Sequence, residues 1–338
     1  MKGTLVQISK KAGVSEEIVL RVINGEEVDA VVKRRVLDAI SELNYNPEHM
    51  DGGLADVKTN TIAVVTAYMN SFSFYEVYLI NGFEKQNLDM GRKYTITQYS
   101  TGGSQQRKKE LLHAIENENI ADGIISMFLQ FDKDDLAALK AHGIPVIFID
   151  EEMEGFPCVK MDNFKGAYNA VDYLIKKGRK NIGLVVGQVS SEGVGITPKE
   201  RYEAYKKALA DNNMPFDENK VIQIMEYTFE EGEQAMQEFS RRNLKLDGIF
   251  SAAGDMVALG IMDEAFKQKI DIPANLSLVG YDDINMASLS KPQLTTVRQP
   301  IEEIGKTAFK MCVEMVETGK MEPRTIILEP QLIIRGSA

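Results

Sequence analysis

The stretch LVQISKKAGVSEEIVLRVIN, residues 5–24, decides how the N-terminal part of this chain folds. Residues 5–12 have the spacing of a short amphipathic helix, residues 13–15 fit a tight turn, and residues 16–24 fit a second helix. Apolar side chains at helical spacing can close a small core with a third helix: Leu5, Ile8, Ala12, Val14, Val19, Val22, Ile23, Val36, Ile40 and Leu43. The pattern predicts a helix-turn-helix, whose second helix enters the DNA major groove.

The composition is that of a globular chain with more than one core, because the 338 residues are 44% hydrophobic and 26% charged. No apolar run reaches 18 residues, and no apolar segment follows the basic N-terminus. We therefore expect no membrane span, no signal peptide and a cytoplasmic location. Cys158 and Cys312 lie far apart without metal-ligand spacing, so we expect two idle thiols and neither a metal nor another cofactor.

The charge balance opposes a simple DNA-binding interpretation. The formal net charge is −11, and residues 1–58 carry eight basic and ten acidic side chains, a net charge of −2. A head that binds phosphates is normally positive. Two functions therefore stay open: a regulator that reads a specific operator, and an effector sensor with altered or lost DNA binding that acts through a protein partner.

From residue 61 onward, apolar β-rich runs alternate with amphipathic helices. The predicted strands are 61–66, 94–99, 123–127, 145–149, 182–187, 221–224, 248–252 and 276–281. The predicted helices are 77–90, 104–119, 133–142, 164–177, 199–212, 229–242, 256–267 and 301–318. This alternation predicts an α/β body with parallel sheets. The units are too many for one compact sheet, so we predict two doubly wound lobes with a ligand cleft at the strand C-termini.

Short motifs follow one another in order along the whole chain. Those of the N-terminal part are Ala12-Gly13-Val14-Ser15, Arg21-Val22-Ile23-Asn24-Gly25, Arg35-Val36-Leu37 and Tyr45-Asn46-Pro47. Those of the body include Asp122-Gly123-Ile124-Ile125, Asp162-Asn163, Gly254-Asp255, Gly280-Tyr281-Asp282-Asp283, Gln299-Pro300 and Leu332-Ile333-Ile334-Arg335. Each motif is weak alone, but together they resemble the lactose-repressor (LacI/GalR) family of bacterial transcription regulators.

The resemblance implies a helix-turn-helix head over residues 1–46, a hinge over 47–60, and a bilobal body over 61–338 similar to periplasmic sugar-binding proteins. Lobe 1 is expected at about 61–160 and 296–324, and lobe 2 at about 161–295 and 325–338. The body would bind a sugar-like small-molecule effector and form a homodimer on an operator of double-stranded DNA, with repression as the usual outcome. No heptad tail follows Arg335, so a dimer rather than a tetramer is expected.

Family positions indicate a set of DNA-facing residues. Arg21 would grip a guanine, although it could be a solvated surface arginine. Asn24 would contact phosphate or simply end the helix, and Leu54 would wedge into the minor groove or be a linker residue without a role. Ser15 would cap the second helix and touch phosphate. The full predicted set is Leu5, Ser15, Glu16, Glu17, Arg21, Asn24 and Leu54.

The head departs from the family pattern at several of these positions. Ile18, Leu20 and Val32 stand where the family usually has hydroxyl side chains. Glu16 and Glu17 begin the base-reading surface, where a carboxylate is repelled by phosphate but can accept a hydrogen bond from cytosine N4. The hinge contains Gly52-Gly53, and each glycine costs about 1 kcal/mol of helix stability relative to alanine.

Family positions and strand ends also indicate an effector cleft. Arg201 would reach a hydroxyl or carboxylate of the ligand, or else form a surface ion pair with Glu200 or Glu203. Asp150 and Asp282 follow predicted strands, where a carboxylate can accept hydrogen bonds from hydroxyl groups. Asp255 is either a ligand contact or a helix cap, and Gly254 replaces the family's usual asparagine. The predicted set is Phe74, Tyr75, Asp150, Arg201, Tyr227, Asp255 and Asp282, with core packing as the alternative for its aromatic members.

Acidic residues near the cleft and the absence of catalytic motifs bear on the ligand charge and on enzymatic activity. Glu151 and Glu152 beside Asp150 favour a neutral or cationic ligand. The sequence has no GxxxxGK[ST], HExxH or GxSxG motif and only three histidines, so we expect no enzymatic activity.

Overall fold

The computed structural model describes residues 5–23, 26, 28–43, 58–67, 74–129, 131–189 and 196–338. The head comprises α1 (Leu5–Ala12), α2 (Glu16–Ile23) and α3 (Ala30–Glu42). Ile8, Ala12, Val19, Val22 and Val36 are buried in its centre, and the other predicted core residues pack against them. The helix-turn-helix predicted from the apolar spacing is therefore confirmed for the described residues.

The body alternates strands and helices along the chain. Its strands are β1 (Thr61–Thr66), β2 (Thr95–Ser100), β3 (Gly123–Met127), β4 (Val146–Ile149), β5 (Cys158–Met161), β6 (Ile182–Gly187), β7 (Val221–Ile224), β8 (Gly248–Ser251), β9 (Ser277–Asp282), β10 (Thr295–Arg298), β11 (Thr325–Leu328) and β12 (Gln331–Ile333). Its helices are α4 (Phe74–Asp89), α5 (Gln105–Glu118), α6 (Lys133–His142), α7 (Asn163–Lys176), α8 (Ile196–Asp211), α9 (Phe229–Arg241), α10 (Asp255–Lys267), α11 (Asn285–Leu289) and α12 (Ile301–Thr318).

The first sheet has the strand order β11-β5-β4-β3-β1-β2, and all of its pairs are parallel. Helices α4 and α12 cross in backbone contact, since a Cβ at Gly82 would lie 2.3 Å from the carbonyl oxygen of Glu302. On the other face, Leu112 and Ile115 of α5 and Leu139 of α6 pack with the apolar strand residues. Both faces are covered, which explains why the central strands are continuous apolar runs.

The second sheet has the strand order β12-β10-β9-β8-β6-β7, parallel except for the β10–β12 pair. Leu174 of α7 and Tyr205 of α8 belong to one apolar cluster with Leu184, whereas Met236 of α9 and Ile261 of α10 belong to another. The predicted α/β architecture with two doubly wound sheets is confirmed. Within the described ranges, no helix is both long and apolar enough to cross a bilayer.

Two of the predicted exchanges between lobes differ from the observed sheets by a few residues. Residues 296–298 were expected in lobe 1, but β10 pairs with β9 in the second sheet. Residues 325–328 were expected in lobe 2, but β11 pairs with β5 in the first sheet. The chain therefore leaves the second sheet after Arg298, where the β9–β10 pairing ends, and returns to it after Leu328, where the β5–β11 pairing ends.

Candidate effector cleft and DNA-facing helix

Two carboxylates stand where parallel strands end. Asp150 directly follows β4, and Asp282 is the last residue of β9. Both have positive φ angles, 60° and 111°, so the backbone turns sharply as each strand ends. Aspartate tolerates such angles better than most residues. Both residues therefore mark the start of loops at the strand C-termini, where ligands bind in doubly wound sheets.

Tyr75 and Asp150 form a hydrogen-bonded pair in the first lobe. The Tyr75 hydroxyl donates to Asp150 Oδ2, and the Met161 amide lies 3.4 Å from Oδ1. Burial raises the pKa of Asp150, and these two hydrogen bonds oppose that rise. Burial and the nearby Asp150 raise the pKa of Tyr75 well above its ordinary value. The pair thus keeps a neutral phenol beside a desolvated carboxylate.

Arg201 is held firmly in the second lobe and is only 8% exposed. Its Nε donates to Asn163 Oδ1 at 3.1 Å, and its Nη1 donates to the Ala252 carbonyl at 2.7 Å. Its guanidinium carbon lies 3.7 Å from the centroid of the Tyr281 ring. The surface ion pair considered from the sequence is wrong, because Glu203 pairs with Lys206 and Glu200 pairs with Lys160.

Asp282 and Asp255 are neighbouring acids of the second lobe, each with its own hydrogen-bond donors. Gln299 Nε2 and the Asp255 amide donate to the Asp282 carboxylate. Asp255 is fully buried, and its oxygens accept from the Thr296 hydroxyl at 2.6 Å and the Ile284 amide at 3.0 Å. Burial raises the pKa of both groups, and Arg201 opposes the rise at Asp282. The predicted alternative of a helix cap is wrong, because Gly254 is the N-cap of α10 and no side chain caps this helix, whereas a ligand contact by Asp255 stays a prediction.

Charged groups of both lobes influence the pKa values of Tyr75 and Tyr227, which burial raises. Asp150 and Asp282 raise the pKa of Tyr75, and Arg201 lowers it. For Tyr227, Arg201 lowers the pKa and Asp282 raises it. Tyr227 is 41% exposed, and its hydroxyl covers Gly187 at the end of β6. We call the space bounded by Tyr75, Asp150, Arg201, Tyr227 and Asp282 the interlobe cleft.

Phe74, the remaining predicted residue, adjoins this group, whereas two open cavities of the molecule lie elsewhere. Phe74 is the half-buried first residue of α4, next to Tyr75. A cavity of 390 Å³ lies between residues 152–156 and 323–325, and another of 250 Å³ lies in lobe 2 near Phe239 and Leu276. Neither cavity is lined by a predicted effector residue.

The second helix of the head presents charged side chains to solvent. Glu16 and Glu17 are exposed in the first turn of α2, where their negative charges interact favourably with the positive end of the helix dipole. The Ile18 amide lies 3.4 Å from the Ser15 hydroxyl, as expected for a helix cap. Exposed Arg21 pairs with Glu26, with 3.1 Å between Nε and Oε2.

The other predicted DNA contacts have different outcomes. Leu5 is half-buried and packs against the core of the head, which accounts for its side chain without DNA. Asn24 and Leu54 lie outside the described residues. The DNA-facing roles of Leu5, Ser15, Glu16, Glu17 and Arg21 stay predictions, and the last four of these side chains are exposed or cap α2.

Comparison with known proteins assigns the chain to a family. A model described as a periplasmic binding protein-like domain matches residues 171–338. The HTH-type transcriptional regulator RegA of Clostridium acetobutylicum is 30% identical over 342 residues, which cover 100% of this chain and 99% of RegA. The chain belongs to the LacI family of transcription regulators.

Solved structures share this fold over most or all of the chain. The complex of transcriptional regulator CelR with cellobiose has a TM-score of 0.74 and 26% identity, and the match covers 99% of this chain and 100% of CelR. A LacI-family regulatory protein from Chloroflexus aggregans shares the fold, with a TM-score of 0.72, 21% identity, and coverage of 82% of this chain and 98% of its own. The similar proteins reported above are transcription regulators.

Three residues of this LacI-family chain join the cleft without having been predicted as site residues: Asn163, Tyr281 and Gln299. Asn163 accepts from Arg201 and, at 3.4 Å, from the Tyr281 hydroxyl, while Gln299 donates to Asp282. All three lie inside motifs that carry the family resemblance, so those motifs could have identified them as site residues from the sequence. In the part of the chain that the structure describes, no group of histidine, cysteine and acidic residues could hold a metal ion.

Proposed function

We propose that this regulator is an effector-controlled repressor whose small-molecule ligand binds in the interlobe cleft. The observation that carries the proposal is the position of Asp150 at the end of β4 in lobe 1 and of Asp282 at the end of β9 in lobe 2, at the strand C-termini where doubly wound lobes bind ligands. Residues 1–46 would form the head, 47–60 the hinge, and 61–338 the effector-binding and dimerisation body.

The side chains of the cleft suit a hydroxyl-rich, sugar-like ligand. Asp150 and Asp282 accept hydrogen bonds, and each carboxylate oxygen has two lone pairs, so existing donors leave capacity for ligand hydroxyls. The Arg201 guanidinium can donate. The rings of Tyr75 and Tyr227 can cover the apolar face of a sugar.

A ligand in this position would contact both lobes at once. It would therefore bind one arrangement of the lobes more tightly than another, and the difference in affinity would shift the population of the two arrangements. In a homodimer, that shift would change the distance between two heads on a pseudo-palindromic operator. Effector and operator binding would then be coupled reciprocally.

The exposed side of α2 would read the operator. Arg21 can exchange its ion pair with Glu26 for a bidentate contact to guanine. Glu16 and Glu17 can accept from cytosine N4, and Ser15 can touch phosphate. Because carboxylates on this surface weaken the non-specific attraction to phosphates, the affinity of the head would depend more strongly on specific base contacts.

Selection of bound duplexes from a random pool, with and without candidate sugars, tests this proposal. We expect one enriched pseudo-palindrome whose affinity falls steeply as salt rises and changes when an effector is added. Arg21→Ala should lower affinity for that duplex by about 10- to 150-fold, the value of a good bidentate base contact, and leave effector binding intact.

Arg34→Ala is the matched control, because Arg34 is an exposed arginine on α3 of the same head. It removes the same charge and should affect all duplexes alike. An absence of any enriched duplex, equal losses for the two variants, or a monomer at working concentration would contradict the proposed function.

A further inference from the structure

An ion pair joins the two lobes directly. Lys160 is the third residue of β5, in the first sheet. Glu200 lies near the start of α8, whose Tyr205 hydroxyl donates to the first residue of β6 in the second sheet. The Lys160 ammonium donates to Glu200 Oε1 at 3.1 Å. Other ion pairs, such as that between Lys85 and Glu302 of lobe 1, stay within one lobe.

A second acid, from lobe 1, positions the lysine. Glu152, in the loop between β4 and β5, has its Oε1 atom 2.8 Å from the Lys160 ammonium. This contact joins residues of the same lobe, so it would persist when the lobes move relative to each other. Glu200 would then lose its cation, whereas Lys160 would keep one carboxylate. The lysine is therefore preorganised to receive Glu200, which lowers the entropy cost of forming the pair.

Little solvent reaches the contact between the lobes. The side chains of Lys160 and Glu200 are 13% and 21% exposed. Coulomb attraction is stronger where water is partly excluded, and salt screens such a pair less than an exposed one. By contrast, Glu203 pairs with Lys206 within α8, and both of these side chains are more exposed. The contact between the lobes should therefore be the stronger of the two.

Each partner of this ion pair is the sequence neighbour of a residue at the cleft. Lys160 precedes Met161, whose amide lies 3.4 Å from Asp150 Oδ1. Glu200 precedes Arg201 on α8. The ion pair therefore also fixes the distance between the segment that contacts Asp150 and the helix that carries Arg201. A ligand that bridges the lobes would act on the same separation that this pair limits.

We propose that Lys160 and Glu200 form an interlobe latch, which favours the arrangement of lobes described here over one in which the lobes are farther apart. The latch sets the balance between the two arrangements in the absence of effector, and the ligand then acts on that balance. This inference rests on the proposed function, because it names an element that controls the same two-lobe switch.

The distance between spin labels on the two lobes tests the latch in the full chain, without effector or operator. Gln105→Cys at the start of α5 and Glu230→Cys near the start of α9 place one exposed label on each lobe. These helices follow β2 and β7, the edge strands opposite to β5, β10 and β11, after which the chain crosses between the lobes. Cys158 and Cys312 are buried, so neither should take up the label.

Labelled chain is mixed with excess unlabelled chain, so that the distance is measured within one chain. We expect Glu200→Gln to lower the ratio of the described arrangement to the more separated one by about two- to fivefold, the range of a partly exposed ion pair. Glu200→Lys replaces attraction with repulsion and should lower the ratio further. Reversal of both charges, by combining Lys160→Glu with Glu200→Lys, should restore part of the loss. Glu203→Lys makes the same change of charge on the same helix and should leave the distances unchanged.

The outcomes separate the latch from the function beneath it. Equal distances in wild type, Glu200→Gln and Glu200→Lys would overturn the latch and leave effector and operator binding standing. A shift of equal size in Glu203→Lys would also overturn it, because the effect would not depend on the contact with Lys160. If the distances shift as expected but the affinity for the selected duplex does not change with them, the latch stands and the coupling in the proposed function fails.

Discussion

Arg201 lies flat on Tyr281, with 3.7 Å between its guanidinium carbon and the ring centroid. Tyr281 directly precedes Asp282, and Asn163 accepts hydrogen bonds from both Arg201 and Tyr281. Asn163 begins the segment after β5, and Gln299 follows β10 and donates to Asp282. Two of the chain segments that link the lobes therefore contact the charged residues of the cleft, so a ligand that moves these side chains also acts on the links.

Arg201→Lys should weaken effector binding although it keeps the positive charge. A lysine cannot reproduce the planar stack on Tyr281 or donate to Asn163 and Ala252 at the same time. We expect about a 10- to 100-fold loss of effector affinity, equivalent to about 1.4–2.8 kcal/mol, measured by isothermal titration. Arg241→Lys, on the exposed surface of α9, is the control and should bind normally. Unchanged affinity in Arg201→Lys would remove this stack from the site.

Asp255→Asn should alter how stability depends on pH. The folded pKa of Asp255 is raised by burial and by Asp282, so the native state holds a proton that the unfolded chain loses above about pH 3.9. The contribution of Asp255 to the free energy of unfolding is therefore present at low pH and lost as the pH rises through the raised pKa. Urea unfolding across this range should show that decline in wild type and a smaller one in Asp255→Asn.

Asp263→Asn provides the contrast, because the Lys267 ammonium lowers the pKa of the Asp263 carboxyl. The stabilisation from this group is present at neutral pH and is lost as the pH falls through its lowered pKa. The two variants should thus differ from wild type with opposite dependence on pH. Parallel curves for wild type and Asp255→Asn would show that Asp255 titrates normally in the folded protein.

The strands predicted correctly from sequence are those whose local run of apolar residues already indicates a buried strand. β3 and β6 are fully buried strands of mostly apolar residues, and the structure has them at the predicted bounds. The missed strands β5, β10, β11 and β12 are three or four residues long, and β11 and β12 are edge strands of exposed or half-buried residues. Their identity as strands comes from the neighbour they pair with, which local composition does not specify.

The same distinction applies to the cleft. Asp150 and Asp282 were predicted because each follows an apolar strand, whereas Asn163 and Gln299 lie at links between the lobes. The closeness of Asn163 to Arg201 depends on how α7 and α8 pack, and the closeness of Gln299 to Asp282 depends on the β9–β10 pairing. Neither contact follows from spacing along the chain.

The ion pair between Lys108 and Asp135 offers a test of stability away from the cleft. Lys108 of α5 is 1% exposed and Asp135 of α6 is 6% exposed. Lys108→Met would leave the buried Asp135 carboxylate without its charged partner, so we expect a loss of about 3–5 kcal/mol in the free energy of unfolding. Adding Asp135→Leu should recover part of that loss, as measured by urea unfolding, because it removes the unpaired charge but also the carboxylate that accepts from the Asp132 amide in the capping box of α6. A double variant less stable than Lys108→Met alone would show that the pair has another role.

Gly254→Ala should damage the cleft through a single methyl group. Gly254 has φ 113°, and a Cβ there would lie 2.8 Å from Asp282 Oδ2. Gly319→Ala is the control, because Gly319 also has positive φ but has open space around it. Backbone strain should destabilise both variants by about 1–3 kcal/mol in thermal unfolding, but only Gly254→Ala should displace the Asp282 carboxylate and lower effector affinity by about tenfold or more, about 1.4 kcal/mol. Equal effector affinity in the two variants would mean that the position of Asp282 does not govern ligand binding.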